Sequence, residues 1–320
     1  MTHLNNLPTL LFTEPRYKSI HSILVSKGQE TVFEGYFQGY DSQKLHEAQS
    51  VTKSIQSILV GIALEKKFIP SLDTKIKPYF SQYTHLDWSK GKADITIRHL
   101  LQMTAGLQWN EAQVPYTAYY QNDANILGLS QDWLHYALNK PMAHKPSLSF
   151  AYSSASPILL SHILREATCL PNELFAMHYL YIPLGISTWE YSKSQHDPEI
   201  LGDIALLPVD MLKIGQLMLG NGTYQGKNIV SKAWVQEASY LHQSLKTAAK
   251  GYGYMWWVDN LPLFGHTSPY YYAWGYGGQH IFVVPALQIC VVFTGGFYHL
   301  TLANEPFELL HEHILPNLAF

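Results

Sequence analysis

The chain has 320 residues, enough to bury a substantial core in one large domain or in two. Hydrophobic residues make up 47% of it and charged residues only 14%, against about 25% in typical soluble domains. The formal net charge of -3 gives no reason to expect nucleic acid or an anionic membrane as a partner. No stretch reaches the roughly 18 uninterrupted apolar residues that a membrane span needs.

The N-terminus and the cysteines bear on the cellular compartment. The first residues lack the basic and apolar regions of a signal peptide, which favours the cytoplasm, or the periplasm if a signal has been removed. Cys169 and Cys290 lie far apart, and Cys290 sits in LQICVVFT, the pattern of a buried strand. We therefore expect a reduced core thiol at Cys290, with a disulfide as the alternative.

The predicted elements run from strands through helices and back to strands. SIHSILVSKGQETVFEGYF predicts two strands around a turn at Lys27–Gly28, and apolar residues at helical spacing predict a helix from Ser50. Residues from about 74 to 188 read as helices and loops, and Pro208 opens a further helix. YGYMWWVD, QHIFVVP and LQICVVFTG predict an antiparallel meander, and residues 302–320 predict a terminal amphipathic helix.

This order of elements predicts an α+β fold. We expect one antiparallel sheet built from both termini, covered by the first and last helices, with a mostly helical region inserted between. The α/β part would span about residues 1–73 and 200–320 and the helical region about 74–199, within a single domain of residues 1–320. A cleft is expected where the inserted region meets the sheet.

The motif S-x-x-K occurs twice, and its context separates the two copies. Ser89 and Lys92 fall in LDWSKGKAD, a polar turn where we expect the lysine to meet solvent. Ser50 and Lys53 lie one helical turn apart, so their side chains emerge on the same face. Burial beside a cleft would lower the pKa of Lys53 and make it a base able to activate Ser50. The alternative is an N-cap serine followed by a lysine that extends to solvent.

Several further segments are similar to one known family. SVTKSIQSILVGIALEKKFIPSLDTKI resembles the active-site helix of the serine β-lactamase-related family, which includes class C β-lactamases, penicillin-binding DD-peptidases, esterases and 6-aminohexanoate-dimer hydrolase. ITIRHLLQMTAGLQW, FAYSSASPILLSHIL and YYAWGYGGQHIFVVP follow in the family's order. The resemblance runs from about residue 20 to 296 and implies a β-lactamase/transpeptidase-like fold.

The resemblance assigns roles to matching positions. It implies that Ser50 is the acylated nucleophile, that Lys53 is its general base and that Tyr152 passes a proton to the leaving group. The backbone N–H groups of Ser50 and Tyr276 would form the oxyanion hole. No metal or organic cofactor is implied.

The third motif of the family departs from its usual form in this chain. Class C β-lactamases and DD-peptidases carry K-T-G there, whereas this chain has AWGYGGQ, which looks closest to the 6-aminohexanoate-dimer-hydrolase-like branch. The missing lysine and the serine at Ser154, where the second motif usually has asparagine, argue against efficient β-lactam hydrolysis. The positions expected to contact substrate are Ser154, Trp274, Gly275 and Gly277. Aromatic residues expected to line the cleft are Tyr119, Tyr120, Tyr270, Tyr271, Tyr272 and Trp274.

The sequence therefore predicts a serine hydrolase that acts on a small ester or amide through an acyl-enzyme. One alternative is a penicillin-binding DD-peptidase or β-lactamase, and another is a non-catalytic acyl-binding scaffold. A third is a Ser–His–Asp hydrolase that uses one of the 16 histidines. The sequence does not indicate an oligomeric state.

Overall fold

The strands form a large sheet and smaller ones. The computed structural model describes residues 3–245, 251–263, 266–298 and 304–318. Its strands are β1 (Ile20–Lys27), β2 (Glu30–Tyr36), β3 (His46–Glu47), β4 (Trp189–Lys193), β5 (Leu201–Leu206), β6 (Thr223–Tyr224), β7 (Lys227–Asn228), β8 (Gln243–Ser244), β9 (Gly251–Tyr252), β10 (Trp257–Leu263), β11 (His266–Gly275), β12 (Gln279–Val284) and β13 (Ile289–Gly295).

The helices lie mostly between the two groups of long strands. They are α1 (Leu7–Thr13), α2 (Val51–Glu65), α3 (Ile97–Leu101), α4 (Asp123–Leu129), α5 (Trp133–Asn139), α6 (Ala155–Thr168), α7 (Asn172–Ala176), α8 (Ile182–Leu184), α9 (Pro208–Leu219), α10 (Lys232–Ala238) and α11 (Glu305–Glu308). A π-helical segment, Met177–Tyr181, joins α7 to α8, and another, Leu309–Ile314, continues α11. The terminal helix agrees with the prediction over its described part, and residues 302–303 and 319–320 lie outside the described residues.

The large sheet joins the two ends of the chain. Its order is β2-β1-β13-β12-β11-β10-β9-β8, and all of these neighbours pair antiparallel. The register pairs Val25 of the N-terminal hairpin with Val291 near the C-terminus. This confirms the prediction of one antiparallel sheet made from both termini and places the chain in the α+β class.

Helices cover both faces of this sheet. Strands β12 and β13 are buried along their whole length, which explains their continuous apolar runs, since a strand covered on both faces needs no polar alternation. Helices α2 and α9 pack against one face of the sheet. Helix α1 and the terminal helical segment close the other face, with Leu7, Leu309 and Ile314 in one cluster with Phe282 and Phe293.

A second, three-stranded sheet lies beside α2 and was not predicted. Its order is β3-β5-β4, so β4 falls inside the segment that the sequence analysis assigned to the helical region. Each of these strands is short, and β3 has only two residues, so the local pattern does not show them. The sheet forms because β5 pairs with β3 across a large sequence separation.

Two other expectations have clear outcomes. Lys92 does not meet solvent as expected: it is 6% exposed, and its ammonium donates to the carbonyl oxygen of Leu138 at 2.6 Å. The acceptor lies at the end of helix α5, where carbonyl groups lack partners within the helix. The sequence around Lys92 contains no sign of this contact, because α5 is distant in the chain. Cys169 and Cys290 are both free, and Cys290 is buried. Within the described ranges, no helix is long and apolar enough to cross a bilayer.

Candidate active site

Ser50 lies at the N-terminal end of helix α2, in the N-cap position. The preceding residue, Gln49, has φ of +51°, a left-handed conformation that is uncommon for a residue with a side chain. Backbone strain of this kind often occurs at functional sites, where the surrounding structure maintains it. The N–H groups of the first helical turn bond to carbonyl oxygens of the preceding turn, and the positive end of the helix dipole makes the backbone around Ser50 favour negative charge.

Lys53 lies next to Ser50 and turns toward it. The Lys53 ammonium nitrogen Nζ lies 2.8 Å from the Ser50 Oγ and 3.2 Å from the Ser154 Oγ. The Lys53 residue is 4% exposed, so its amine does not extend into bulk water. The structure thus brings Ser50, Lys53 and Ser154 together from α2 and from the residue before α6.

The charge of Lys53 differs from the sequence-based expectation. Burial lowers its pKa, as expected, but Tyr152, Glu111 and Asp203 act in the opposite direction, and the net pKa lies above that of an ordinary lysine. The expectation of a largely uncharged lysine is therefore wrong for the resting site. It failed because both carboxylates come from segments far from Lys53 in the sequence.

Tyr152 faces the same ammonium. Its ring centroid lies 5.0 Å from Lys53 Nζ, close enough for a cation–π contact. The ring stacks on Trp257, with centroids 5.4 Å apart and an interplanar angle of 27°. Burial raises the pKa of the Tyr152 phenol, Lys53 lowers it and Glu111 raises it, with a net increase. The resting pair is therefore an ammonium beside a neutral phenol.

Glu111 is a member of this site that the sequence analysis missed. It is 2% exposed, and its carboxylate accepts hydrogen bonds from both the backbone N–H and the hydroxyl of Ser154, at 2.7 and 2.9 Å. In the sequence it follows the matched segment ITIRHLLQMTAGLQW within a polar stretch, where a lone glutamate is usually solvated. Its position two residues after that segment was the one available signal.

A cleft of about 580 Å³ opens over these residues. It is bounded by the start of α2, the small sheet, helix α4, the start of α6 and the loop after β11. Its lining residues are Glu47, Gln49, Ser50, Thr52, Lys53, Gln56, Tyr116, Thr117, Tyr119, Ala124, Asn125, Leu127, Gly128, Trp133, Ser154, Pro157, Ile158, Ser192, Leu201, Gly202, Asp203, Tyr276 and Tyr298. Among these described residues Lys53 is the only lysine or arginine.

The glycine-rich segment after β11 lies close to Ser50. A Cβ added at Gly275 would come within 2.3 Å of the Ala48 carbonyl oxygen, so only glycine allows this approach of the two backbones. Gly277 has φ of +85°, and a Cβ there would meet the Tyr298 ring at 2.5 Å. Both glycines therefore shape the loop that carries Tyr276, and Tyr276 and Ser50 line the same cleft.

Other expected cleft residues lie elsewhere. Trp274 packs against His280 and Phe307, on the face of β11 opposite to α2, and does not line the cleft. The expectation that three consecutive tyrosines line the cleft is not met, because all three are buried in the core: Tyr270, Tyr271 and Tyr272. Tyr119 does reach the cleft, whereas Tyr120 is 86% exposed. Burial of the sheet on both faces accounts for the β11 residues, whereas Tyr120 lies in an exposed loop.

The site as a whole is that of an acid–base pair next to a hydroxyl. Among the described residues, no group of three or more His, Cys, Asp or Glu side chains is arranged to hold a metal ion.

The profile of the β-lactamase family matches residues 21–295, so the chain belongs to that family. No curated protein sequence matches this chain.

Solved structures share the fold at low sequence identity. EstCE1, a hydrolase with promiscuous acyltransferase activity, aligns with a TM-score of 0.76 and 16% identity over 97% of each chain. A candidate 6-aminohexanoate-dimer hydrolase from Bacillus anthracis aligns at TM-score 0.72 and 17% identity, over 99% of this chain and 84% of the other. A penicillin-binding protein from Bacillus halodurans aligns at TM-score 0.69 and 17% identity, over 97% and 99%. These similarities confirm the β-lactamase/transpeptidase-like fold.

Proposed function

We propose that this protein is a serine hydrolase that cleaves a small ester or amide through an acyl-enzyme. The observation that carries the proposal is the 2.8 Å contact between the buried Lys53 amine and the Ser50 hydroxyl oxygen. An alcohol needs such a base to become a nucleophile, and the Tyr152 ring lies beside the same amine. The two groups share protons as a coupled pair.

In the first half of the reaction, Ser50 Oγ attacks the carbonyl carbon of the substrate. In the reacting enzyme, the Lys53–Tyr152 pair holds one proton fewer than in the resting ammonium–phenol form. This pair takes the proton of Ser50. The N–H groups of Ser50 and Tyr276 stabilise the negative oxygen of the tetrahedral intermediate. As the bond to the leaving group breaks, Tyr152 gives the leaving alkoxide or amine its proton, and the acyl group stays on Ser50.

Water completes the cycle. The Lys53–Tyr152 pair takes a proton from a water molecule, which attacks the acyl carbon. The bond to Ser50 Oγ then breaks, and Ser50 recovers its proton from the pair. The products are a carboxylic acid and an alcohol or amine, and the enzyme returns to its starting state.

The composition of the cleft favours an uncharged substrate over a penicillin or a peptidoglycan peptide. Those substrates carry a carboxylate, and the described lining offers no arginine and no lysine beyond Lys53. Glu47 and Asp203 add negative charge to the same lining. We therefore place the activity with the esterases and amidases of the family, and the DD-peptidase or β-lactamase role as the rival.

The test is covalent labelling of the nucleophile. We expect a fluorophosphonate to add once to the protein, at the peptide that contains Ser50, and Ser50→Ala to abolish both labelling and hydrolysis of short p-nitrophenyl esters. Ser89→Ala, in the second S-x-x-K copy, is the matched control and should keep both. Labelling at another serine would contradict the proposal. Rapid acylation by labelled penicillin with slow ester turnover would favour the rival, and persistent hydrolysis in Lys53→Met would point to a histidine base.

A further inference from the structure

Glu111 occupies a pocket built for an ionised carboxylate. Its oxygen Oε2 accepts from two fixed N–H groups, the Trp109 indole and the Ser154 backbone, each at 2.7 Å. Its oxygen Oε1 accepts from two hydroxyls, Tyr116 at 2.8 Å and Ser154 at 2.9 Å. Four donors converge on one buried group, so a protonated acid would leave a donor without an acceptor.

These bonds fix the direction of the Ser154 hydroxyl. Because its hydrogen points to Glu111, its lone pairs are free to accept from Lys53, which lies 3.2 Å away. One N–H of Lys53 is then directed to Ser154. The rest of the amine faces Ser50 at 2.8 Å and the Tyr152 ring. The orientation of the amine thus depends on a carboxylate that does not touch it.

We propose that Glu111 is a positioning residue of the hydrolytic site, which orients Lys53 through the Ser154 hydroxyl and supplies the buried negative charge that balances the ammonium. This proposal rests on the serine-hydrolase function proposed above. In this role Glu111 contacts neither Ser50 nor the substrate. It stabilises the cation formed when Lys53 accepts the proton of Ser50, at the moment when negative charge develops on the substrate oxygen.

Two other titratable groups act on Lys53. Tyr152, from the segment before α6, and Asp203, on β5, both raise the pKa of Lys53 together with Glu111. Asp203 lies open to the cleft, whereas Glu111 is enclosed, so solvent and ions screen Glu111 far less. We therefore expect Glu111 to have the larger effect on Lys53 in solution.

The variant Glu111→Gln keeps the shape and removes the charge. Its amide nitrogen must take the place of Oε1, because the other position faces two fixed N–H donors. The hydroxyls of Tyr116 and Ser154 must then reverse and accept, so Ser154 gives one lone pair to the new amide and its hydrogen turns away from residue 111, which disturbs its bond with Lys53. A neutral amine becomes easier to form, so the pKa of Lys53 falls.

Two measurements test this. The first follows Lys53 by NMR of protein carrying ¹³Cε-lysine, with its signal assigned by the loss of that signal in Lys53→Met. We expect the titration midpoint to fall by about one pH unit or more in Glu111→Gln, the size expected from removing one nearby charge. The second is the pH dependence of fluorophosphonate labelling of Ser50. Its rising limb should move to lower pH by the same amount, while its maximal rate falls.

Asp123→Asn is the matched control. Asp123 is also a buried carboxylate, and it accepts from the backbone N–H of Asn110, next to Glu111, but it pairs with Lys140 rather than with Lys53. Asp123→Asn should loosen the loop that carries Asn110 and Glu111. It should not move the titration midpoint of Lys53 or the rising limb of the labelling profile. Glu111→Asp keeps the charge but shortens the reach, so it should keep the midpoint near the wild-type value while lowering the rate.

The outcomes separate the two proposals. An unmoved midpoint in folded Glu111→Gln, or an equal shift in Asp123→Asn, would reduce Glu111 to a structural role. If Glu111→Gln does not fold, a midpoint that falls in Glu111→Asp would overturn the proposal in the same way. A wild-type protein that no fluorophosphonate labels would refute the hydrolase function, and the NMR titration would still decide whether Glu111 sets the charge of Lys53.

Discussion

The backbone of Gly275 lies so close to Ala48 that an added Cβ would come within 2.3 Å of the Ala48 carbonyl oxygen. Gly275 ends β11, and Ala48 stands two residues before Ser50. This contact joins a central strand of the large sheet to the start of the nucleophile helix. We infer that it helps to position the N–H groups of Ser50 and Tyr276, the proposed oxyanion hole.

The variant Gly275→Ala should therefore weaken the proposed oxyanion hole. The new methyl group would push the β11 end away from Ala48, and loss of one donor typically costs about 10²- to 10³-fold in the rate of acylation. The fluorophosphonate labelling rate and kcat for p-nitrophenyl acetate measure this loss. Gly226→Ala is the control, because a Cβ there meets nothing within 4 Å and the strain from its φ of +78° falls in a turn that does not line the cleft. Equal labelling rates in Gly275→Ala and wild type would remove Tyr276 from the oxyanion hole.

Tyr152→Phe should lose activity in proportion to the need of the leaving group for a proton. A p-nitrophenolate leaves without protonation, whereas an alkoxide or an amine does not, and general acid catalysis contributes about 10²- to 10⁴-fold. We expect kcat/KM for alkyl esters and anilides to fall by that factor, with a clearly smaller loss for p-nitrophenyl esters. The comparison is made across a series of leaving groups with one acyl group.

Tyr271→Phe controls for the loss of a buried hydroxyl. The Tyr271 hydroxyl donates to the Met218 carbonyl oxygen at 3.0 Å, away from the cleft, so its removal should cost about 1 kcal/mol of stability without any dependence on the leaving group. If Tyr152→Phe slows all leaving groups by one common factor, Tyr152 is not the proton donor.

Asp203→Asn should change substrate selection by charge. Asp203 and Glu47 line the cleft with Lys53, and a substrate carboxylate would lie near both acids. Removing one charge about 5 to 8 Å away through solvent is worth about 0.5–1 kcal/mol, or roughly twofold to fivefold in kcat/KM. We expect the ratio of kcat/KM for a succinate monoester to that for the matched butyrate ester to rise by this factor at low salt.

Glu190→Gln is the comparison for Asp203→Asn. Glu190 is an exposed acid on the neighbouring strand β4 and does not line the cleft, so the ratio should stay at the wild-type value. The effect of Asp203→Asn should shrink as salt is added, because mobile ions screen charges in an open cleft. A ratio that does not change with Asp203→Asn would mean that the substrate does not approach the side of the cleft lined by Asp203.

The fold should lose stability as the pH falls from about 6.5 to about 4. Burial lowers the pKa of His21 and of His46 to about 4, so each is neutral when folded and takes up a proton more readily when unfolded. Their stabilising effect is therefore complete above the unfolded pKa and is lost as the pH approaches the folded value. Their rings lie 5.3 Å apart, so protonation of one opposes protonation of the other.

Urea unfolding at pH 7.5 and pH 4.5 measures this effect. We expect a decrease of about 2–3 kcal/mol from each histidine at most, since one pKa unit corresponds to about 1.4 kcal/mol. His280, fully buried with a pKa of about 3, adds to the same trend. His46→Gln should reduce the difference between the two pH values, whereas His178→Gln, at an exposed position, should leave it unchanged. An identical difference in His46→Gln and wild type would show that His46 does not titrate on unfolding.

The nucleophile region was largely predictable because its information is local. Ser50 and Lys53 are three residues apart, and a helix that starts at Ser50 places the two side chains on one face without help from the rest of the chain. The hairpin of β1 and β2 and the buried strands β12 and β13 are likewise encoded in short apolar runs. These local patterns, repeated in the order of a known family, gave the fold class and its assignment to the family.

The tertiary structure alone determined the charges of the site and the walls of the cleft. Glu111 and Asp203 reach Lys53 from distant segments, and together with Tyr152 they reverse the expected direction of its pKa shift. Trp274 turns to the far face of β11 because strand residues alternate and the sheet is covered on both sides. Electrostatic energy depends on distances in space, and a single sequence does not give the distances between segments that meet only when the chain folds.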